Sequence, residues 1–263
     1  MARIGVFDSG IGGFSILREI MSRIRGAVID YISDEAFAPY GNKIDSEIVR
    51  RSEWITGLLI ERGADLIVVA CNSATAASIA ALREEHPDLP FVGVEPYINV
   101  LNHGSLYPDM TTVAVVTTVL TGNSSKFREL KARLDPNGII RHFSLPGLAT
   151  LTEEIIAHGY GAPQRERLAE ELKPLKGAGL SHLILGCTHY PLIADLIEEE
   201  LEVKTISPAP AVAQRVVSLL GEGQGKHPDE FSFMSTTDMI WRTRSLQGFP
   251  GLGSPKERHD EDA

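Results

Sequence analysis

The sequence predicts an α/β protein with parallel sheets, and three observations carry that prediction. Apolar runs of strand length alternate with segments of helical period along almost the whole chain. Several of the runs are rich in branched apolar residues on both faces, as strands covered on both sides must be. The two halves also repeat one another in outline, which implies two related sheets rather than one.

In order, ARIGVFD (2–8) is a strand, GGFSILREIMSRI (12–24) a helix and VIDYISD (28–34) a second strand. SEIVRRSEWITGLLIERG (46–63) closes a helix on Gly63, and ADLIVVAC (64–71) is a buried strand. NSATAASIAALREEHP (72–87) has Asn and Ser at its capping position and a proline beyond its end, so it is a helix, and LPFVGVEP (89–96) is the next strand. The second half runs MTTVAVVTT strand, NSSKFRELKARL helix, GIIRHFSLP strand, then LTEEIIAHG and APQRERLAEELKPLKGAG helices. LSHLILGC strand, THYPLIADLIEEEL helix and VKTISP strand complete it. Strand–helix–strand units of this kind join by right-handed crossovers into parallel sheets.

The repeat is visible at the strand ends. From Asp8, which ends one strand beside Ser9, to Thr117, which ends another, the offset is 109 residues; from Cys71 to Cys187 it is 116. The chain has only these two cysteines, and each follows an apolar run and precedes a hydroxyl or amide residue and a helix.

Composition narrows the function classes. With 263 residues, 43% of them hydrophobic and 23% charged, the chain can bury a sizeable core. A net charge of -10 argues against a nucleic-acid groove or an anionic membrane as the main partner, since both favour clustered Lys and Arg. No apolar run is long enough to span a bilayer, and MARIGVFDSG lacks the features of a signal peptide, so the expected compartment is the cytosol and both cysteines are expected to be thiols.

Strand ends of parallel sheets face the helix N-termini, where backbone amides and the helix dipole favour anions. A cysteine there is expected to have its thiolate stabilised. The competing readings of Cys71 and Cys187 are small buried hydrophobes, a metal site with His189, or a Cys187–His nucleophile for acyl transfer. The metal reading lacks a fourth ligand and close-spaced ligand pairs, and the nucleophile reading leaves Cys71 without a role. DSGIGG is neither a dinucleotide fingerprint, because Ser15 stands in the third glycine's place, nor a Walker A loop.

DSGIGG, APYG (38–41), VVACNSAT, VGVEP and LILGCTHYPL, in this order and spacing, resemble the glutamate racemases of the aspartate/glutamate racemase superfamily, over residues 3 to about 245. The resemblance implies a cofactor-independent isomerase of two flavodoxin-like domains related by a pseudo-twofold axis, with the active site between them. One domain would comprise 1–97 with 208–247 and the other 98–207, leaving 248–263, rich in Gly, Pro and charge, as a disordered tail. It further implies Cys71 and Cys187 as the catalytic thiols, with Asp8 assisting the first, His189 the second, and Glu153 as another assisting carboxylate. Asp8, Ser9, Tyr40, Gly41, Asn72, Ser73, Thr188 and His189 are the implied substrate contacts. Of these, Asp8 and Asn72 are also plain helix caps by residue type, and Glu153 is also a plain first-turn carboxylate.

Some positions depart from the family pattern. Ser73 replaces a usual Thr, Ser144-Leu145-Pro146 replaces Ala-Cys-Pro, Glu35-Ala36 replaces Thr-Ala, and Ile206 stands at a usually acidic place. The implied substrate is L- or D-glutamate, the implied role is supply of D-glutamate for peptidoglycan, and the implied assembly is a homodimer. A sister racemase acting on aspartate, or a non-catalytic binder of small acids, fits the same frame.

Overall fold

The computed structural model describes residues 1–107 and 109–249; the tail expected at 248–263 lies outside them from residue 250 onward. Strands β1 (Arg3–Asp8), β2 (Val28–Ser33), β3 (Leu66–Val69) and β4 (Phe91–Gly93) alternate with helices α1 (Phe14–Arg23), α2 (Asp45–Glu61) and α3 (Asn72–Glu85). The chain then leaves this sheet. It builds β5 (Val113–Thr117), α4 (Val119–Asn123), α5 (Ser125–Leu134), β6 (Arg141–Ser144), α6 (Leu148–His158), α7 (Ala162–Leu172), β7 (His182–Gly186), α8 (Ala194–Leu201) and β8 (Lys204–Ile206). It returns through α9 (Ala209–Leu220), β9 (Glu230–Ser235) and β10 (Trp241–Ser245).

The first sheet has the order β10-β9-β2-β1-β3-β4 and the second β6-β5-β7-β8. All pairings are parallel except that of the edge strand β10 on β9. The order β2-β1-β3-β4 thus recurs as β6-β5-β7-β8, so β3 and β7 are counterparts. Each sheet is covered on both faces: Ile4, Val6, Leu17 and Ile20 pack with Val212 and Val216 of α9, while Phe7, Ile55, Leu59, Val69 and Leu82 fill the opposite side. In the second sheet Leu183 and Leu185 face α6, α7 and α8, and Val113, Val115 and Ile184 face α5. All four residues of β3 and all five of β7 are buried, which is why both read as unbroken apolar runs.

Several stretches differ from expectation, and α9 and β9 stand where no element was expected. The helix expected over 188–201 begins as a 3-10 turn, Tyr190–Ile193, because Pro191 enters at its start, and α8 follows only from Ala194. A short helix, α4, precedes α5, with Thr118 and Ser124 capping the two in turn. The parallel arrangement gains an antiparallel hairpin, β9–β10, at one edge.

Candidate active site

The strand ends place the site. Asp8 closes β1, and its fully buried carboxylate accepts hydrogen bonds from the Ser9 amide (2.7 Å), the Ser9 hydroxyl (3.3 Å) and the Gly13 amide at the start of α1. Burial pushes the Asp8 carboxyl up from its ordinary range, against the lowering effect of the charge on His189 and these hydrogen bonds. Cys71 lies two residues beyond β3, at the capping position of α3, 3.7 Å from the Ser9 hydroxyl.

The helix N-terminus was expected to favour a thiolate at Cys71. The structure corrects this: burial pushes the thiol up well beyond its ordinary value, and the Asp8 charge adds to it, outweighing the Ala74 amide and the Ser9 hydroxyl. Cys71 therefore rests as a neutral thiol.

The other half-site has the opposite electrostatics. Cys187 follows β7 directly, its sulfur 3.8 Å from Nδ1 of His189, and His189 Nε2 lies 2.9 Å from Glu153 Oε1 on α6. Burial alone would depress the imidazole, yet its bonds to Cys187 and Glu153, with the charges of Cys187 and Asp8, hold it well above its usual value. An imidazolium therefore sits beside the Cys187 sulfur. Glu153, with its side chain 41% exposed, leads from the buried ring to solvent.

The halves meet around the glycine loop. A Cβ at Gly10 would collide with Glu153, and one at Gly12 would stand 2.8 Å from both His189 Cε1 and Thr188 Oγ1. These two glycines are thus small because the second half's site residues occupy the space. Thr188 donates to Asp8 (3.4 Å), Ser15 of α1 donates to the Thr188 carbonyl (3.0 Å), and the Ser73 and Thr118 hydroxyls lie 3.2 Å apart. Thr118 in turn donates to Thr121 (3.0 Å). Reading the sequence missed Ser15, Thr118 and Thr121; the only signal for Ser15 was its position in place of a third glycine.

Asp8, Ser9, Cys71, Glu153, Cys187, Thr188 and His189 form one connected cluster, with Asn72 and Ser73 opening α3 beside Cys71. Asn72 donates to the Val94 carbonyl (3.3 Å), and its Oδ1 is buried without a hydrogen-bond partner. Tyr40 is placed differently. Its hydroxyl donates to Asp34 (2.6 Å), which also receives a fork from Arg51, so that hydroxyl is committed to the framework. A cavity of about 520 Å³ is lined by none of these residues; Arg83, Pro96, Arg133 and Pro208 are on its wall. Among the described residues no group of three or more His, Cys, Asp or Glu is disposed to hold a metal, and no helix is long and apolar enough to cross a membrane.

Two buried thiols on counterpart strand ends, each with its own ionisable partners, suit proton transfer to and from two faces of one atom. A family model described as Asp/Glu/Hydantoin racemase matches residues 8–216. The chain belongs to that family. It is accordingly an isomerase, a racemase. A glutamate racemase from Pseudomonas paraeruginosa is 39% identical over 235 residues, covering 86% of this chain and 87% of its own length. Among solved structures, Escherichia coli glutamate racemase in complex with L-glutamate and the activator UDP-MurNAc-ala superimposes with a TM-score of 0.75 at 30% identity, over 89% of this chain and 88% of its own. Glutamate racemase from Francisella tularensis in complex with D-glutamate gives a TM-score of 0.73 at 30% identity, with the same coverage. The two-domain racemase fold is therefore that of this chain.

Proposed function

We propose that this racemase interconverts L- and D-glutamate without a cofactor, using Cys187 and Cys71 on opposite faces of the α-carbon. The observation that carries the reading is the placement of the only two cysteines at the ends of β3 and β7, counterparts in the repeated strand order. The glutamate complexes of the Escherichia coli and Francisella tularensis relatives support the choice of substrate.

In the L to D direction, Cys187 as thiolate takes the α-proton, with the His189 imidazolium beside it. The electron pair left on the α-carbon is drawn into the substrate carboxylate, which backbone amides and hydroxyls of the site stabilise. Cys71, resting as a thiol, delivers its proton to the other face. The enzyme then holds a Cys187 thiol and a Cys71 thiolate, the state that runs the reaction in reverse. For the reverse reaction the Cys71 thiol, raised by burial and Asp8, has to give up its proton, which the approach of substrate and the exclusion of water must favour. Asp8 and the Ser9 hydroxyl adjust the proton on Cys71, and the pair His189–Glu153 adjusts that on Cys187. D-glutamate made in this way supplies peptidoglycan, and the expected setting is the cytosol, with the chain as a homodimer.

The test is incubation with L-glutamate in heavy water. The expected result is D-glutamate carrying deuterium at the α-carbon. Exchange with aspartate but not glutamate would overturn the substrate, and exchange with no amino acid would overturn the reaction in favour of a binding protein.

A further inference from the structure

We infer that Ser15 is a positioning residue that fixes the Cys187–His189 turn against the first half-site, so that the two thiols keep their spacing across the substrate. The inference rests on the two-thiol reading above and deepens it. Ser15 lies in the first turn of α1 and is 2% exposed. Its hydroxyl points to two carbonyls, that of Gly12 at 2.9 Å, just ahead of its own helix, and that of Thr188, 173 residues away, at 3.0 Å. Thr188 is the residue between Cys187 and His189. Its hydroxyl is also tied to the first half, donating to Asp8 at 3.4 Å. The first half therefore grips this one residue by main chain and side chain together, and the grip on the main chain is Ser15's.

Neither of the other seam contacts does the same work. Ser73 and Thr118 join side chain to side chain on the α3 side, and Gly10 and Gly12 only leave room for Glu153, His189 and Thr188. A hydrogen bond to the carbonyl of Thr188 fixes the peptide plane that joins it to His189, and with the Thr188 side chain held by Asp8 it sets the turn from which Cys187 and the His189 ring project. A two-base reaction needs both sulfurs in line with one carbon, and misplacement by about 1 Å costs on the order of a hundredfold in rate.

Ser15→Ala removes the bond, and Ser15→Thr keeps a hydroxyl at the same place. Initial rates are measured with L-glutamate and D-glutamate, each with hydrogen or deuterium at the α-carbon. The expected result for Ser15→Ala is a loss in kcat of about tenfold to a hundredfold with KM within about threefold. Its isotope effect rises with α-deuterated L-glutamate, whose proton Cys187 removes, more than with α-deuterated D-glutamate. Ser15→Thr restores rate and isotope effects. A role in stability alone would lower the active fraction and leave both isotope effects as in the wild type. Wild-type isotope effects in Ser15→Ala, or no rescue by Ser15→Thr, overturn the inference. If Ser15→Ala does not fold, Ser15→Cys, of the same shape but a weaker donor, takes its place under the same criteria. Wild-type protein that exchanges no α-hydrogen of glutamate would instead sink the proposed reaction, so the two failures are separable.

Discussion

Replacing Gly12 by alanine adds one methyl group at the seam between the halves. Gly12 has no left-handed backbone, so alanine is accommodated by the main chain, and any effect comes from what the methyl touches. The new Cβ would stand 2.8 Å from His189 Cε1 and Thr188 Oγ1, about 0.6 Å inside the 3.4 Å at which ordinary contact begins, and closer still to Nδ1. That nitrogen is the one facing the Cys187 sulfur. His189 cannot swing away freely, because its other nitrogen is held by Glu153 at 2.9 Å and the ring is buried. The seam must open by roughly half an ångström to one ångström, which at a reacting pair costs on the order of tenfold to a hundredfold in kcat. Overpacking a tight site costs about 1–3 kcal/mol of stability as well. Racemisation followed by circular dichroism, with urea unfolding alongside, reads both effects. A Gly12→Ala enzyme within twofold of wild-type kcat, folded and with His189 in place, would refute the claim that this glycine exists to admit the imidazole.

Two further outcomes follow from the same site. Cys71→Ser and Cys187→Ser should each lower racemisation by at least about a hundredfold, the scale of a lost general acid or base, with circular dichroism unchanged; wild-type turnover in either variant would exclude a two-thiol scheme. Stability should fall as pH rises. His189 and Cys71 both hold their protons more tightly folded than unfolded, so their contributions are complete below the unfolded values near 6.5 and 9.0 and are lost as pH climbs through the higher folded ones. Melting temperatures measured from pH 6 to 10 should decline, and His189→Asn should remove the earlier part of the decline; a rise over pH 6.5–9 would contradict the assigned shifts.

Most of the alternation was legible in the chain because buried parallel strands have to be apolar throughout. Leu66–Val69 and residues 183–185 show it best. Trp241–Ser245 was not legible: four of its five residues are exposed, so the strand is held by pairing with β9 and leaves no burial pattern in its sequence. The thiols were legible because a repeat marks them twice. Their electrostatics were not. A helix N-terminus is a local feature, whereas the burial and the Asp8 charge that raise Cys71 come from β1, brought alongside β3 only by folding. For the same reason Ser15 was invisible as a partner of Thr188. Tyr40 adds a contact that the sequence did not show: its hydroxyl donates to Asp34, whose carboxylate is also held by Arg51.

The path of the chain between the sheets has a mechanical consequence. It crosses once after β4 and once back after β8, and Pro96 and Pro208, from the two crossings, line the same cavity. Two bodies joined by a pair of neighbouring straps behave like a door on two pins: they can swing about the line through the pins but resist sliding and twisting. Both sulfurs belong to residues only 5% exposed, and a swing of this kind is the motion that would uncover them. The same restriction would return the seam to one register on closing, with the Ser15–Thr188 bond there to set the final alignment.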